Sequence, residues 1–351
     1  MATHESEATR GAPTPGSVPS RAEASAEDRL IATYFRPIAT HPGAFDLADD
    51  AAAIAPPPGC DLVLTTDGVI SGVHFFPADP ADAVARKALR INLSDLAAKG
   101  AQPLGFLLSV ALTREVTDDW LASFAAGLRA DAKKFGCPLL GGDTDRTPGP
   151  VSVSIAAFGT LPRGSMVRRA GARAGDRVVV TGTIGDAALG VILRRDPGAA
   201  ERWRLDDRTR EHLLRRYRVP EPRNAIAAAL RRYASGGMDV SDGLVGDLAK
   251  TCRGARVDAD VEVARVPLSR AARAALAAEP ALIETILTGG DDFEVLASVS
   301  PRKVDALRKA AKAAGVSITE IGEFAKGRGV ARFTDAQGRL LEFARPSYSH
   351  F

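Results

Sequence analysis

Apolar runs in this chain repeatedly break off into glycine, serine or threonine next to aspartate: DLADDAAAI, LVLTTDG, LLGGDTD, GMDVSDG and ILTGGDDFEV. Runs this apolar and this short must be buried on a sheet. The carboxylates at their ends cannot follow them inside without a partner. Strand ends and the turns after them are where α/β proteins bind ligands. Stretches with helical spacing lie between the runs, so the expected fold class is α/β, an α+β arrangement of mixed sheets in two domains.

DLVLTTD (61–67) and VSVSIAAFG (151–159) read as strands, and PADAVARKALRINLSDLAAKG (80–100) and TDDWLASFAAGLRADAKKFG (117–136) as helices closed by glycine. The segment LPRGSMVRRAGARAGDR (161–177) is rich in Gly, Pro and Arg and lacks apolar periodicity. It predicts a boundary between one domain over 27–162 and another over 163–351, and a chain of 351 residues has room for both. The second half continues with an RVVVTG strand, a GDAALGVIL helix, an Arg-rich helical region over 201–218, the turn MDVSDG, and strands near 257–262, 294–299 and 317–321. Residues 1–26 hold no Leu, Ile, Phe, Trp or Tyr. They offer too little apolar surface to offset their ordering entropy and are expected to form a disordered tail. Order is expected from near Asp28, where EDRLIATYF spaces Leu30, Ile31, Tyr34 and Phe35 as a helix does.

Charge excludes several partners. Lys and Arg number 46 against 43 Asp and Glu, and the arginines are scattered along helical stretches, which reads as solvated surface and not as a nucleic-acid footprint. No apolar run approaches the ~20 residues a membrane span needs, and the N-terminus has no signal-peptide core. A cytoplasmic protein is expected. Cys60, Cys137 and Cys252 are odd in number and far apart, with no C-x-x-C. They predict idle thiols in a reducing compartment rather than a disulfide framework.

The aspartates carry the chemistry. Asp49 and Asp50, Asp67, Asp143, Asp239 and Asp242, and Asp291 and Asp292 all stand beside apolar runs, and Asp95 interrupts the apolar helix INLSDLAA. Turn formation or helix capping accounts for any one of the turn aspartates. It does not account for Asp95 in mid-helix, nor for paired carboxylates that repel unless something positive stands between them. Oxygen ligands without His or Cys company point to magnesium rather than zinc. Several carboxylates on several magnesium ions point in turn to a polyphosphate. No G-x-x-x-x-G-K-[ST] loop and no kinase catalytic loop occurs, and TGTIGDAALG (181–190) does not fit the dinucleotide fingerprint. Nucleotide binding here is expected to rest on metal in place of a lysine-and-amide cradle.

In chain order, LIATYF, DDAAAI, TTDGVISGVHF, KALRINLSDLAAKGA, GGDTDR, RRAGARAGD, VTGTIGDAALG, DVSDGL, TGGDDFE and a terminal SYSHF resemble the thiamine-monophosphate kinases, a branch of the aminoimidazole ribonucleotide synthetase superfamily. The resemblance spans about residues 28–351. It implies a two-domain architecture with the active site in the cleft, and a homodimer formed by pairing of N-terminal sheets. It implies direct in-line transfer from ATP to thiamine monophosphate with several Mg2+ ions. Residue by residue, it implies magnesium ligands at Asp50, Thr65, Thr66, Asp67, Asp95, Asp143, Asp239 and Asp242. Nucleotide contacts fall at Gly142, Asp143, Arg169 and Ser241, and substrate contacts at His74, Asp291 and Tyr348. Asp67, Asp95, Asp143 and Arg169 form the implied catalytic set. The chain departs from the family pattern at Ala48, where Gly is usual, at Asp291, where Glu is usual, and at Pro346 and Ser347 before Tyr348. The alternative is another ATP-dependent enzyme of the superfamily, such as a selenophosphate or aminoimidazole ribonucleotide synthetase. A selenophosphate enzyme would want a reactive Cys ahead of the first aspartates, whereas Cys60 follows them.

Overall fold

The computed structural model describes residues 25–345 and Ser347. The expected tail, apart from Ser25 and Ala26, lies outside the described residues, and so does Tyr348. The first helix, α1 (Ala26–Leu30), starts two residues ahead of Asp28 because of a reciprocal cap. Ser25 Oγ accepts the Asp28 N–H at 3.0 Å, and the Asp28 carboxylate accepts the Ser25 N–H at 2.9 Å.

The first sheet holds β1 (Cys60–Ile70), β2 (Gln102–Leu112), β3 (Leu139–Arg146) and β4 (Ser152–Pro162) in the order β1-β4-β2-β3. Only β2 and β3 run parallel. Alternate residues, among them Val63, Val69, Phe106, Leu108, Val153 and Ile155, are buried under α2 (Ala81–Ala98) and α3 (Asp118–Phe135). On the other face Leu64 is 63% exposed. The β2 strand is hard to see in sequence because Pro103 and Gly105 interrupt its period, and the structure shifts register between them. The α3 helix ends on Gly136 in the left-handed region, as its glycine predicts.

The second sheet is β5 (Arg177–Thr181), β6 (Ala234–Val240), β7 (Val257–Glu262), β8 (Glu294–Val299), β9 (Ile318–Lys326) and β10 (Ala331–Thr334), ordered β10-β7-β9-β5-β8-β6. All its pairs are antiparallel except β10 with β7. Val178 and Val180 join a core with Leu189 of α4 (Asp186–Arg195), Leu213 of α6 (Asp207–Arg218) and Leu248 of α8 (Leu244–Ala255). The short α5 (Ala199–Arg202) and the helices α9 (Arg270–Ala278) and α10 (Leu282–Thr288) complete that layer. Val179 points to the opposite face, where α7 (Ala227–Tyr233) and α11 (Pro301–Ala313) pack through Leu230 and Leu307.

The α2 helix belongs to both halves. It crosses β1 and β4 on one side and meets β6 and β8 on the other, and 15 of its 18 residues are buried. Its polar side chains therefore need partners. Arg90 grips Asp131 through two bonds at 2.5 and 2.8 Å and donates to the Pro220 carbonyl at 2.8 Å. Ser94 donates to Asp239 at 2.8 Å, and Asn224 Nδ2 donates to the Leu93 carbonyl at 3.0 Å. Among the described residues no helix is long and apolar enough to cross a membrane.

Removing one member of a buried ion pair strands the other charge, at a cost of about 3 kcal/mol or more. Arg90→Met is expected to lower the urea-unfolding free energy by that order, and a further Asp131→Leu to restore most of it. A double variant no more stable than the single one would refute this account. At the far edge, Asp258 accepts N–H groups from Val330, Arg328 and Gly329 at 2.9, 2.9 and 3.0 Å, and Arg332 at 3.0 Å. These bonds, the Val330 one foremost, hold its carboxyl at about 2. The unfolded value is about 4, so this contribution is complete above pH 4 and is lost as pH falls towards 2. Asp258→Asn should flatten that part of a melting-temperature profile, and an unchanged slope would count against it.

Candidate active site

In β1 the period of two sends Thr65 and Asp67 towards α2 and Thr66 to the opposite face. Thr65 Oγ1 donates to Asp95 Oδ2 at 2.5 Å, and the Asp67 N–H donates to Asn92 Oδ1 at 3.0 Å. Strand and helix are thus pinned together at the carboxylates. Asp239 closes β6 from the other domain, held by Ser94. Asp242 follows in a turn whose Ser241 and Asp242 N–H groups both donate to Asp247 Oδ2 at 2.9 Å. Lys250 binds Asp242 and, at 2.8 Å, Asp247. Gly243 allows the turn, since at φ 101° a Cβ would lie 2.4 Å from the Thr288 carbonyl oxygen.

Electrostatics register the crowding. Surrounding protein that displaces water, then repulsion from Asp95 and Asp242, push Asp67 up to about 6, although its side chain still opens to solvent. Burial, then Asp95, raise Asp239 well above the carboxylate range, with Ser94 opposing. Burial lowers Lys99, and the neighbouring charges that act on it are Asp239, Arg169 and Asp95. Its ammonium donates to the Gly237 carbonyl at 2.9 Å.

A cavity of about 460 Å³ leads away from this cluster. Asp67, Ser241 and Asp242 lie on its wall together with His74, Asp291 and Tyr217. His74 Nδ1 accepts the Ile70 N–H at 3.1 Å. Asp291 sits at φ 73°, unusual for a residue with a Cβ, and its N–H donates to the Ser241 carbonyl at 2.8 Å. Lys87 meets Asp291 Oδ2 at 2.7 Å. The next residue serves structure alone: the buried Asp292 carboxylate accepts the Gly185 and Ala187 N–H groups at 2.7 and 3.4 Å and caps α4.

A second cavity, of about 710 Å³, lies between the sheet and the N-terminal segment bearing Ile31, Phe35 and Leu47. It holds Asp50, Gly142 and Asp143. Register aligns Asp143 with Ser109, Ser154 and then Gly68. Three strand spacings separate it from the β1 site, roughly 14 Å. At Gly142 a Cβ would fall 1.8 Å from the Leu108 carbonyl oxygen, so no side chain fits. Ala48 carries its Cβ without strain at φ −106°. The left-handed turn ahead of the aspartates is made by Phe45, Asp46 and Leu47, at φ 47°, 55° and 56°.

The structure thus gathers Thr65, Asp67, Asp95, Asp239 and Asp242 into one cluster, joins Ser241, His74 and Asp291 to it through the smaller cavity, and places Asp50, Gly142 and Asp143 in the larger one. The Thr66 hydroxyl lies apart, donating to the Ile155 carbonyl at 3.1 Å. Arg169 is exposed on a short turn near Lys99. Ser347 Oγ donates to the Asp242 carbonyl at 3.3 Å, which brings the chain to the residue before Tyr348 against the site. Asp67 and Asp143 stand within strands, where the sequence suggests their ends, because β1 runs on to Ile70 and β3 to Arg146. Sequence reasoning passed over Lys87, Asn92, Ser94, Lys99, Tyr217 and Lys250. The available signal was KALRINLSDLAAK itself, whose polar residues are interspersed with Ala88, Ile91 and Ala98 on the face that would otherwise meet solvent.

Residues 48–161 match the family model for AIR synthase related protein, N-terminal domain, and residues 173–335 that for its C-terminal domain. The thiamine-monophosphate kinase of Caulobacter vibrioides is 42% identical over 326 residues, spanning 91% of this chain and 89% of the relative. The crystal structure of thiamine-monophosphate kinase from Stenotrophomonas maltophilia matches at TM-score 0.75 and 36% identity, over 84% of this chain and 91% of that one. AaThiL complexed with AMPPCP and TMP matches at 0.71 and 28%, over 86% and 91%. With both domains present in order and a relative this similar over nearly its whole length, the chain belongs to the thiamine-monophosphate kinase family of the AIR synthase related proteins.

Proposed function

We propose that this protein transfers the terminal phosphoryl group of ATP to thiamine monophosphate, forming thiamine diphosphate and ADP. The observation that carries the reading is the smaller cavity, which has His74 and Asp291 on its wall together with Asp67 and Asp242. An acceptor held there would present its phosphate to the carboxylate cluster. That phosphate, with a second pKa of about 6, is already a nucleophile at neutral pH and needs no strong base. His74 is then a contact residue, and transfer is direct and in line, without a phosphoenzyme.

The donor set fits magnesium. Its ligand atoms are oxygens alone, and a cation would relieve the repulsion that Asp95 and Asp242 exert on Asp67. Among the described residues no three His, Cys, Asp or Glu side chains form a ready-made cage. That suits an ion that binds through a few carboxylates and completes its shell with phosphate oxygens and water. When bound, magnesium neutralises and aligns the two polyanions. Thr65 orients Asp95, Asn92 fixes the Asp67 backbone, and Ser94 orients Asp239. Gly142, Asp143, Arg169 and Ser241 serve the nucleotide, the Arg169 guanidinium offering a fork for phosphate oxygens, and Asp50 and Asp143 in the larger cavity would hold magnesium beside it. Thr66 stays in the proposed ligand set, since the hydroxyl that donates to the Ile155 carbonyl keeps its oxygen lone pairs.

The reading extends to assembly and place. A homodimer is proposed through the open face of the first sheet, where Leu64 and Ile70 are exposed. The domain boundary is placed at 162/163, between β4 and β5. Free thiols at Cys60, Cys137 and Cys252 suit the cytoplasm.

Purified protein with ATP and Mg2+ is expected to convert thiamine monophosphate, and neither thiamine nor formylglycinamidine ribonucleotide, to a diphosphate with one ADP per turnover. Chromatography that finds no thiamine diphosphate would sink the assignment. Asp95→Asn should lower kcat at least about a hundredfold, the scale of losing one preorganised electrostatic group. EDTA should abolish turnover, and added Mg2+ should restore it.

A further inference from the structure

Lys87 lies on α2, outside every motif position to which the resemblance assigns a role. Its side chain is 3% exposed, so its charge requires a partner. It finds three. Nζ donates to Asp291 Oδ2 at 2.7 Å and to the His74 carbonyl at 2.9 Å, and it sits 4.1 Å from the centre of the Tyr217 ring. Tyr217 in turn donates its hydroxyl to the same His74 carbonyl at 3.3 Å. These contacts tie together three elements that share no backbone: the loop after β1, helix α6, and the loop before β8. Each contributes to the wall of the smaller cavity.

The tie matters most at Asp291. Its backbone is left-handed, and it is held from one side by Ser241 and from the other by Lys87. Only one carboxylate oxygen is taken by the ammonium, which leaves Oδ1 for a donor group in the cavity. A side chain as short as Asp has little reach, so its direction must be set by what grips it.

We propose that Lys87 is the positioning residue of the acceptor half of the site. It sets Asp291 and His74 at the spacing that recognises the heterocyclic part of the acceptor, while taking no part in binding the nucleotide. This rests on the reading that the smaller cavity takes thiamine monophosphate. Methionine keeps the length and apolar stem of Lys87 without its charge.

In Lys87→Met the KM for thiamine monophosphate is expected to rise roughly ten- to a hundredfold, the range spanned by loss of a charge-assisted hydrogen bond. The KM for ATP should stay within about twofold, and kcat should fall by less than the acceptor KM rises. Lys87→Arg, which keeps the charge, should recover part of the loss. Asp291→Asn added to Lys87→Met should cost much less than the product of the single effects, because both remove one contact. An acceptor KM equal to the parent's, equal losses for both substrates, or multiplicative single effects would each overturn the proposal. Should Lys87→Met fold poorly in thermal melts, Tyr217→Phe, which deletes only the hydroxyl bond to the His74 carbonyl, must raise the acceptor KM selectively or the proposal fails. A parent enzyme inactive on thiamine monophosphate would instead refute the functional reading itself.

Discussion

Everything in this molecule is arranged around a helix that has no water to turn to. With 15 of 18 residues buried, α2 cannot leave Lys87, Arg90, Asn92 or Ser94 unpartnered. Nearly all the partners lie on other elements, and several lie in the other domain: the Pro220 carbonyl, Asp239 and Asp291. A buried apolar helix could slide along either sheet at modest cost. This one is indexed to both sheets by directional bonds. The same bonds that satisfy the helix therefore set the width of the cleft and the spacing of the groups that line it.

The carboxylate cluster illustrates the opposite economy. Asp95 and Asp242 repel Asp67, and Asp95 repels Asp239, with Lys99 and Lys250 as partial compensation. Such an arrangement is unfavourable for the folded state on its own account. A ligand that brought positive charge there would offset that cost and stabilise the fold in step with its binding. Backbone strain accompanies each cavity, at Asp291 beside the smaller one and at Phe45, Asp46 and Leu47 beside the larger.

Much of this was legible beforehand. Asp95 was conspicuous because a lone carboxylate in an apolar helix has no bland explanation, and the structure gives it a hydroxyl partner on β1. The strand around Asp67 followed from its apolar run, whereas β6, whose ASGGMDV is mostly small and polar, was not foreseen. Asp292 shows where legibility ends, because a turn aspartate that caps a helix and one that faces a cavity look alike until the backbone path is known. Lys87 was hidden for a related reason. In sequence it is one more lysine on a helix, and only burial by the second domain converts it from surface to interior. The β2 strand was obscured by Pro103 and Gly105, whose local preferences were overridden by pairing with β4.

The pairing of β1 with β4 runs through eleven consecutive residues without a bulge, from Cys60 against Pro162 to Ile70 against Ser152. Side chains on a strand have only two addresses, so this ladder makes the placement of Thr65 and Asp67 all-or-none. A slip by one residue would not shift the carboxylate slightly. It would exchange faces, delivering Leu64 and Thr66 to the helix and sending Asp67 to the outer side. A substitution in this segment leaves that parity untouched, whereas a single inserted or deleted residue would reverse it unless a bulge took it up. Insertions or deletions within β1 must come in even numbers or be absorbed in a bulge or before Cys60, and drift in this family should obey that arithmetic.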